Sequence, residues 1–251
     1  VPLIGLLSEY GILPLLTLFL IFVFQPPASM ALGMILLSTC PGGNVSNFMV
    51  ALSQGNAALS VMLTSVTTLA AVIVTPFAFT FWAGILPDTQ TLLSEIYVEP
   101  TQMIRTIFLL ILVPLLLGMA CFRYFPKLAN RIKGPIRMLS MLIFLGFVVV
   151  AIAKDFENII SYIHYVFFTV AIHNGLAILM GYWLARSFNV EEKNARAIAI
   201  ETGIQNTALG LVIIFKFFDG LGGMALVMAW WGIWHLLSGF LLAFIWGRQK
   251  I

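Results

Sequence analysis

The chain has 251 residues, of which 61% are hydrophobic and 9% charged, with a net charge of +3. A soluble domain carries about 25% charged residues, so this composition excludes a water-soluble globular protein and leaves no room for a separate soluble domain. The small basic excess does not point to nucleic acid, because the basic residues fall between apolar segments.

A bilayer-spanning helix needs about 20 predominantly apolar residues. Eight apolar segments fit, at about 1–24, 28–53, 57–86, 98–122, 136–153, 158–187, 196–218 and 221–247. The expected fold class is an all-α polytopic membrane protein. The first segment opens at Val1 without a signal-peptide pattern, which reads as the start of a fragment or a trimmed chain. Glu9 lies deep within that segment.

The second segment is broken at Cys40-Pro41-Gly42-Gly43-Asn44-Val45-Ser46-Asn47. An unpaired backbone group in lipid costs several kcal/mol, so a broken helix persists only where protein groups or a water-filled cavity satisfy it. Pro41 removes a donor, and Gly42 and Gly43 ease unwinding. Ser46 and Asn47 add side-chain oxygens beside freed carbonyls, which are the hard ligands a small dehydrated cation prefers. In the third segment Ser60, Thr64 and Thr68 recur four apart on one helical face, flanked by Ser65 and Thr67. Such hydroxyls often serve helix packing, but beside this break they are candidate ligands.

Between the fourth and fifth segments lies the longest hydrophilic connection, a basic loop near 123–135 with turns at Pro126, Gly134 and Pro135. His164, Tyr162 and Tyr165 suit an interfacial belt, as do Trp230, Trp231 and Trp234. His173 and Asn174 suit an interhelical hydrogen bond, and Cys40 a small packing residue. Neither Cys40 nor Cys121 belongs to a disulfide framework.

The seventh segment carries a second break, Glu201-Thr202-Gly203-Ile204-Gln205-Asn206-Thr207. It lies five spans after the first, so the two cross the membrane in opposite senses. Paired, inverted breaks point to the binding site of a secondary transporter. A mid-span acid costs about 2.5–3.5 kcal/mol on insertion scales, so Glu201 is expected to pair with a partner or line a pathway. A cation held by Glu201, Gln205 and freed carbonyls would supply one.

Arg123, Lys127, Arg131, Lys133, Arg137, Arg186, Lys193, Arg196, Arg248 and Lys250 fall on one side of alternating spans, and Asp88, Glu95, Glu99, Asp155, Glu157 and Asp219 on the other. The positive-inside rule then puts both termini in the cytoplasm, in a multi-pass protein of a cell (inner) membrane. No nucleophile–base pair suggests an enzyme, and no phosphate-binding Gly-x-x-x-x-Gly-Lys-Ser/Thr loop suggests nucleotide-driven transport.

The runs Cys40-Pro41-Gly42-Gly43-x-x-Ser46-Asn47, Gly55-Asn56-x-x-Leu59-Ser60-Val61-x-x-Thr64-Ser65-x-x-Thr68-Leu69, Glu201-x-Gly203-x-Gln205-Asn206 and Trp234-His235-x-x-Ser238-Gly239 resemble the bile acid:sodium symporter family. The resemblance covers nearly the whole chain. It implies a sodium-coupled symporter of an organic anion, built from two inverted five-helix repeats with discontinuous helices that cross. The core domain would comprise 1–86 and 158–247, and a partial panel domain 98–153. Two sodium ions are implied. One would be held by Ser46, Asn47, Ser60, Thr64 and Glu201. The other would be held by Glu201, Gln205, the backbone near Thr202 and Ile204, and a side chain of the first segment. The expected partners are the bilayer and a small organic anion, with no nucleic acid and no evident protein partner.

The chain departs from the family pattern in three ways. It begins where the family's third helix begins, so two panel helices are expected to precede it. Glu9 stands where the family usually has glutamine, in Gly5-x-x-x-Glu9-x-x-x-x-Pro14, and could tighten sodium binding or hold a proton. Asn44 and Leu236 differ from the bile-acid-binding pattern, which shifts the expectation towards small carboxylates. Helix N-termini at the breaks favour an anion. The candidate substrate contacts are Gly43, Asn44, Asn206 and His235.

Overall fold

The structure, a computed structural model, describes residues 1–96, 99–154 and 156–249. Every regular element among them is a helix. Asp155 and Lys250 lie outside the described residues, as do the side chains of Glu95, Arg137, Lys154, Glu157 and Tyr162.

The chain opens with α1 (Pro2–Leu7), a π-helical turn at Ser8–Ile12, and α2 (Leu13–Phe24), which together form one apolar rod. Pro14 has no N–H to give and crowds the carbonyl one turn before it, so the helix widens there and presents Ser8 and Glu9 inward. Next come α3 (Ala28–Thr39), α4 (Val45–Leu52), α5 (Ala57–Ala83) and a short α6 (Pro87–Ile96). A second π turn at Phe108–Leu112, again just before a proline, joins α7 (Pro100–Ile107) to α8 (Val113–Tyr124). The rest is α9 (Pro126–Lys154), α10 (Phe156–Ser187), α11 (Glu192–Gly203), α12 (Thr207–Phe217) and α13 (Gly222–Gly247). Five helices among the described residues are long and apolar enough to span a bilayer: Pro2–Phe24, Ala57–Ala83, Thr101–Tyr124, His164–Ser187 and Gly222–Gly247.

Two expectations change. The basic stretch near 123–135 is helical on either side of one break at Phe125, so the turn expected at Pro126 is present and those at Gly134 and Pro135 are not. Pro126 sits at the helix start, where a missing N–H costs nothing, and the Lys, Leu, Ala and Arg that follow are strong helix formers. Trp230, Trp231 and Trp234 do not form a surface belt. They lie midway along α13, with Trp231 fully buried edge-on to His173 and Trp230 and Trp234 packed on Phe167. α13 is wedged against α3 and α10, so its middle turns face protein.

Two apolar clusters organise the interior. One gathers Leu13, Leu16, Leu32, Leu36, Phe79 and Leu211; the other gathers Met49, Leu59, Leu63, Ile198 and Ile200. On the first rod Ser8 and Glu9 lie between Leu6, packed on the second cluster, and Leu13 of the first, and on α5 Thr64 and Thr67 lie between Leu63 of the second and Phe79 of the first. Close helix approach depends on glycine at the packing surface: a Cβ on Gly33 would stand 2.7 Å from Met224 Cα.

Candidate functional site

The site begins where two helices stop. Cys40 turns extended after α3 and before Pro41, and Ile204 turns extended after α11. The two extended stretches run antiparallel and pair at Gly42 and Gln205. The Gly43 N–H donates to the Ile204 carbonyl at 2.8 Å, and the Asn206 N–H donates to the Pro41 carbonyl at 2.9 Å. Each break therefore satisfies backbone groups freed by the other. The contact favours glycine, since a Cβ on Gly43 would lie a tight 3.1 Å from the Gln205 carbonyl oxygen.

Behind this crossing Glu201 is completely buried. Ser46 donates to its Oε1 at 2.5 Å, Ser60 donates to the same oxygen, and Thr64 donates to Oε2 at 2.8 Å. Ser60 Oγ also lies 2.8 Å from Asn47 Oδ1, and Thr64 Oγ1 lies 3.2 Å from that oxygen and 3.0 Å from the Ser60 carbonyl. A hydroxyl carries one proton. Ser60 and Thr64 thus face more acceptor oxygens than they have protons to give. An oxygen cluster short of protons is suited to a cation.

Glu9 approaches from the π turn. A Cβ on Gly42 would come within 2.9 Å of Glu201 Oε2 and 3.6 Å of Glu9 Oε2, so both carboxylates converge on this glycine. Both Glu9 oxygens are buried without a hydrogen-bond partner, as is Gln205 Oε1. Gln205 Nε2 donates to the Thr202 carbonyl at 3.0 Å, which aims the amide oxygen the other way. The Thr202 and Ile204 carbonyls each accept one hydrogen bond and keep a second lone pair. Glu201 and Glu9 have no basic side chain among their hydrogen bonds in the described residues. Arg196, five residues before Glu201, is committed to Glu192, Ser53 and Trp246. At the start of α11, burial pushes the Glu192 carboxyl up. Hydrogen bonds from Arg196 and Tyr182 and nearby guanidinium charge outweigh that and hold it below the usual carboxylate range.

In front of the crossing a cleft of about 450 Å³ has a polar wall of Asn44, Asn47, Thr64, Thr68 and Asn206, facing apolar Ile111 and Leu115. Asn44 and Asn206 are the N-cap residues of α4 and α12, so both helix N-termini open towards it. Gly43 lies buried in the backbone pairing, and His235 is buried on α13; neither lines this cleft. His173 bonds to Thr17 at 2.9 Å, and Asn174 donates to the Gly203 carbonyl at 2.7 Å while accepting from Ser238 at 2.6 Å.

Two site residues carried no role in the sequence reading. Thr67 is fully buried with Oγ1 beside Gly42, while Thr68 is only half-buried and faces the cleft. The signal was the spacing Ser60, Thr64, Thr67, since three- and four-residue steps share a helical face. Ser8 bonds to Thr202 Oγ1 at 2.7 Å, and nothing beyond its adjacency to Glu9 marked it.

A family model described as Sodium Bile acid symporter family matches residues 2–162. The uncharacterized sodium-dependent transporter YocS of Bacillus subtilis (strain 168) is 32% identical over 246 residues, covering 98% of this chain and 73% of its own length. The probable sodium/metabolite cotransporter BASS2, chloroplastic, of Oryza sativa subsp. japonica is 30% identical over 242 residues, covering 90% of this chain and 56% of its own. The corresponding BASS1, chloroplastic, of Arabidopsis thaliana is 30% identical over 248 residues, with 98% and 59% covered. The chain therefore spans less than two thirds of these two chloroplast relatives.

Proposed function

The chain belongs to the sodium bile acid symporter family, and from that premise we propose that it is a sodium-coupled secondary transporter of an organic anion that works by alternating access. The observation that carries this reading is the pair of buried carboxylates, Glu9 and Glu201, among hydroxyl and amide oxygens and without a basic partner among the described residues. A buried carboxylate without counter-charge is costly, and two monovalent cations would balance the pair. One ion would sit among Ser46, Asn47, Ser60, Thr64 and Glu201. The second would sit among Glu201, Glu9, the Gln205 amide oxygen and the backbone at Thr202 and Ile204.

The substrate would occupy the cleft in front of the crossing, its carboxylate facing the N-termini of α4 and α12 and the amides of Asn44 and Asn206. Both ions would lie behind the same crossing, so filling them would fix the two short extended stretches that frame the substrate. This reading carries the eight-span arrangement with inverted, crossing broken helices, a core built from 1–86 and 158–247, a panel part at 98–153, and cytoplasmic termini.

Sodium chloride, and not potassium chloride, should raise the thermal unfolding midpoint of the purified protein, and Glu201→Ala should abolish the rise. Identical melting curves in the two salts defeat the sodium assignment. A proton-coupled carrier is the competing reading, and Glu9 favours it: a buried carboxyl with neither oxygen partnered can be neutralised by a proton as well as by a metal ion.

A further inference from the structure

The cage oxygens come from three helices: Ser46 and Asn47 from α4, Ser60 and Thr64 from α5, and Glu201 from α11. The same three helices meet again at the basic-side ends, in a polar cluster centred on Arg196. Arg196 is 3% exposed, and its Nη1 donates to the Ser53 carbonyl and the Trp246 carbonyl, each at 2.8 Å. Ser53 is the C-cap of α4, and Trp246 lies in the last turn of α13. One guanidinium therefore serves the carbonyl ends of two helices, where orphan acceptors and the negative pole of each helix favour a cation. It is itself held by Glu192 at 2.9 Å and Gln249 at 3.3 Å, and it lies over the Trp246 ring at 5.4 Å. Beside it the Asn56 N–H donates to the Lys193 carbonyl at 2.9 Å, and Asn56 Nδ2 donates to Asn194 Oδ1 at 2.7 Å. Asn56 is the N-cap of α5, four residues before Ser60.

We propose that Arg196, with Asn194 beside it, is a positioning residue for the sodium cage: it locks the axial register of α11 against α4 and α5, and so sets where Glu201 meets Ser46, Ser60 and Thr64. The inference rests on the sodium reading above. α4 has 8 residues, little more than two turns, so fixing its end at Ser53 fixes Ser46 at its start. Arg196 and Glu201 are five residues apart on one rigid helix. A slip of α11 along its axis is thus opposed at one end by helix carbonyls and at the other by cage hydroxyls.

The test titrates sodium chloride against choline chloride at constant ionic strength and reads the sodium concentration that gives half of the maximal thermal stabilisation. Outer contacts that orient metal ligands are worth about 10–100-fold in affinity, so Arg196→Gln should raise that concentration about tenfold or more. Arg196→Lys, which keeps the charge but offers a point donor in place of a fork, should fall between Arg196→Gln and the parent. Asn194→Ala should move it in the same direction by less. A merely structural role would lower the melting point in choline and leave the half-saturating sodium unchanged, and that result overturns the proposal. If Arg196→Gln yields no folded protein, Arg196→Lys and Asn194→Ala decide on the same readout, and parent-like values for both overturn it. A parent protein without any sodium response removes the underlying sodium reading instead, and this inference falls with it.

Discussion

A carboxylate inside a bilayer avoids standing as a bare charge by taking a basic partner, a proton or a metal ion. Glu201 has hydroxyls but no basic side chain among its hydrogen bonds in the described residues, and Glu9 has neither oxygen partnered. On the sodium reading, proton and sodium would therefore compete at Glu9. As pH falls, protons occupy more of the carboxylate, so the sodium needed for half-saturation should rise. Glu9→Gln should retain sodium binding and flatten that pH dependence, read as half-saturating sodium between about pH 5 and 8, the range in which native ionic balances shift. Complete loss of sodium binding in Glu9→Gln would make Glu9 an obligatory ligand instead. At this scale Glu201 and Glu9 were legible in the sequence, because an acid in an apolar run cannot be passed over. Thr67 was not, because a hydroxyl in a helix more often bonds back to its own turn, as Thr17 does to Leu13. Thr67 also bonds back, to the Thr64 carbonyl at 3.3 Å, and only its burial beside Gly42 sets it apart.

The two broken helices share a backbone pairing but differ in their caps. The Asn206 side chain accepts from the Leu209 N–H at 3.1 Å, whereas Asn44 makes no side-chain cap, and its carboxamide is left to the cleft. This asymmetry separates stability from recognition. Asn206→Ala should cost about 1 kcal/mol through the lost cap and also weaken substrate binding. Asn44→Ala should leave the melting point within error of the parent and raise only the half-saturating substrate concentration in sodium-driven uptake. Parent-like substrate affinity in Asn44→Ala would remove that residue from the recognition surface. Both breaks were visible in the sequence because proline, glycine and amides stand out against leucine and isoleucine. The helical course of 126–135, the start of α9, was not, because Gly134 and Pro135 carry the same punctuation as a turn. There the propensity of the residues after Pro126 and the position of that proline at the helix start outweighed the signal.

Across the whole molecule, burial is uneven. Half of the most apolar window of Gly222–Gly247 is buried, against 11% of that in Thr101–Tyr124, which would face lipid or other helices along most of its length. Glu201 and its hydroxyl partners lie buried, and Ile111 and Leu115, beside and in α8, form the opposite wall of the cleft. If cations bind at Glu9 and Glu201 and the wall of Ile111 and Leu115 can move, ion occupancy would govern closure of the cleft. Composition revealed the membrane class and the family resemblance implied a separate panel part at 98–153, but how densely each helix packs was not legible, because packing density depends on which helices meet rather than on how apolar each is. If two sodium ions travel with one monoanion, one net positive charge crosses per cycle. A potential of about 100 mV then contributes about 2.3 kcal/mol. A tenfold sodium gradient contributes about 1.4 kcal/mol per ion, for a total near 5 kcal/mol and an accumulation of a thousandfold or more. Uptake of a radiolabelled small carboxylate into proteoliposomes should therefore rise when a potassium diffusion potential makes the interior negative, at fixed sodium. Initial rates indifferent to that potential would exclude this stoichiometry and leave one sodium per monoanion, with Glu9 neutralised by a proton that does not move.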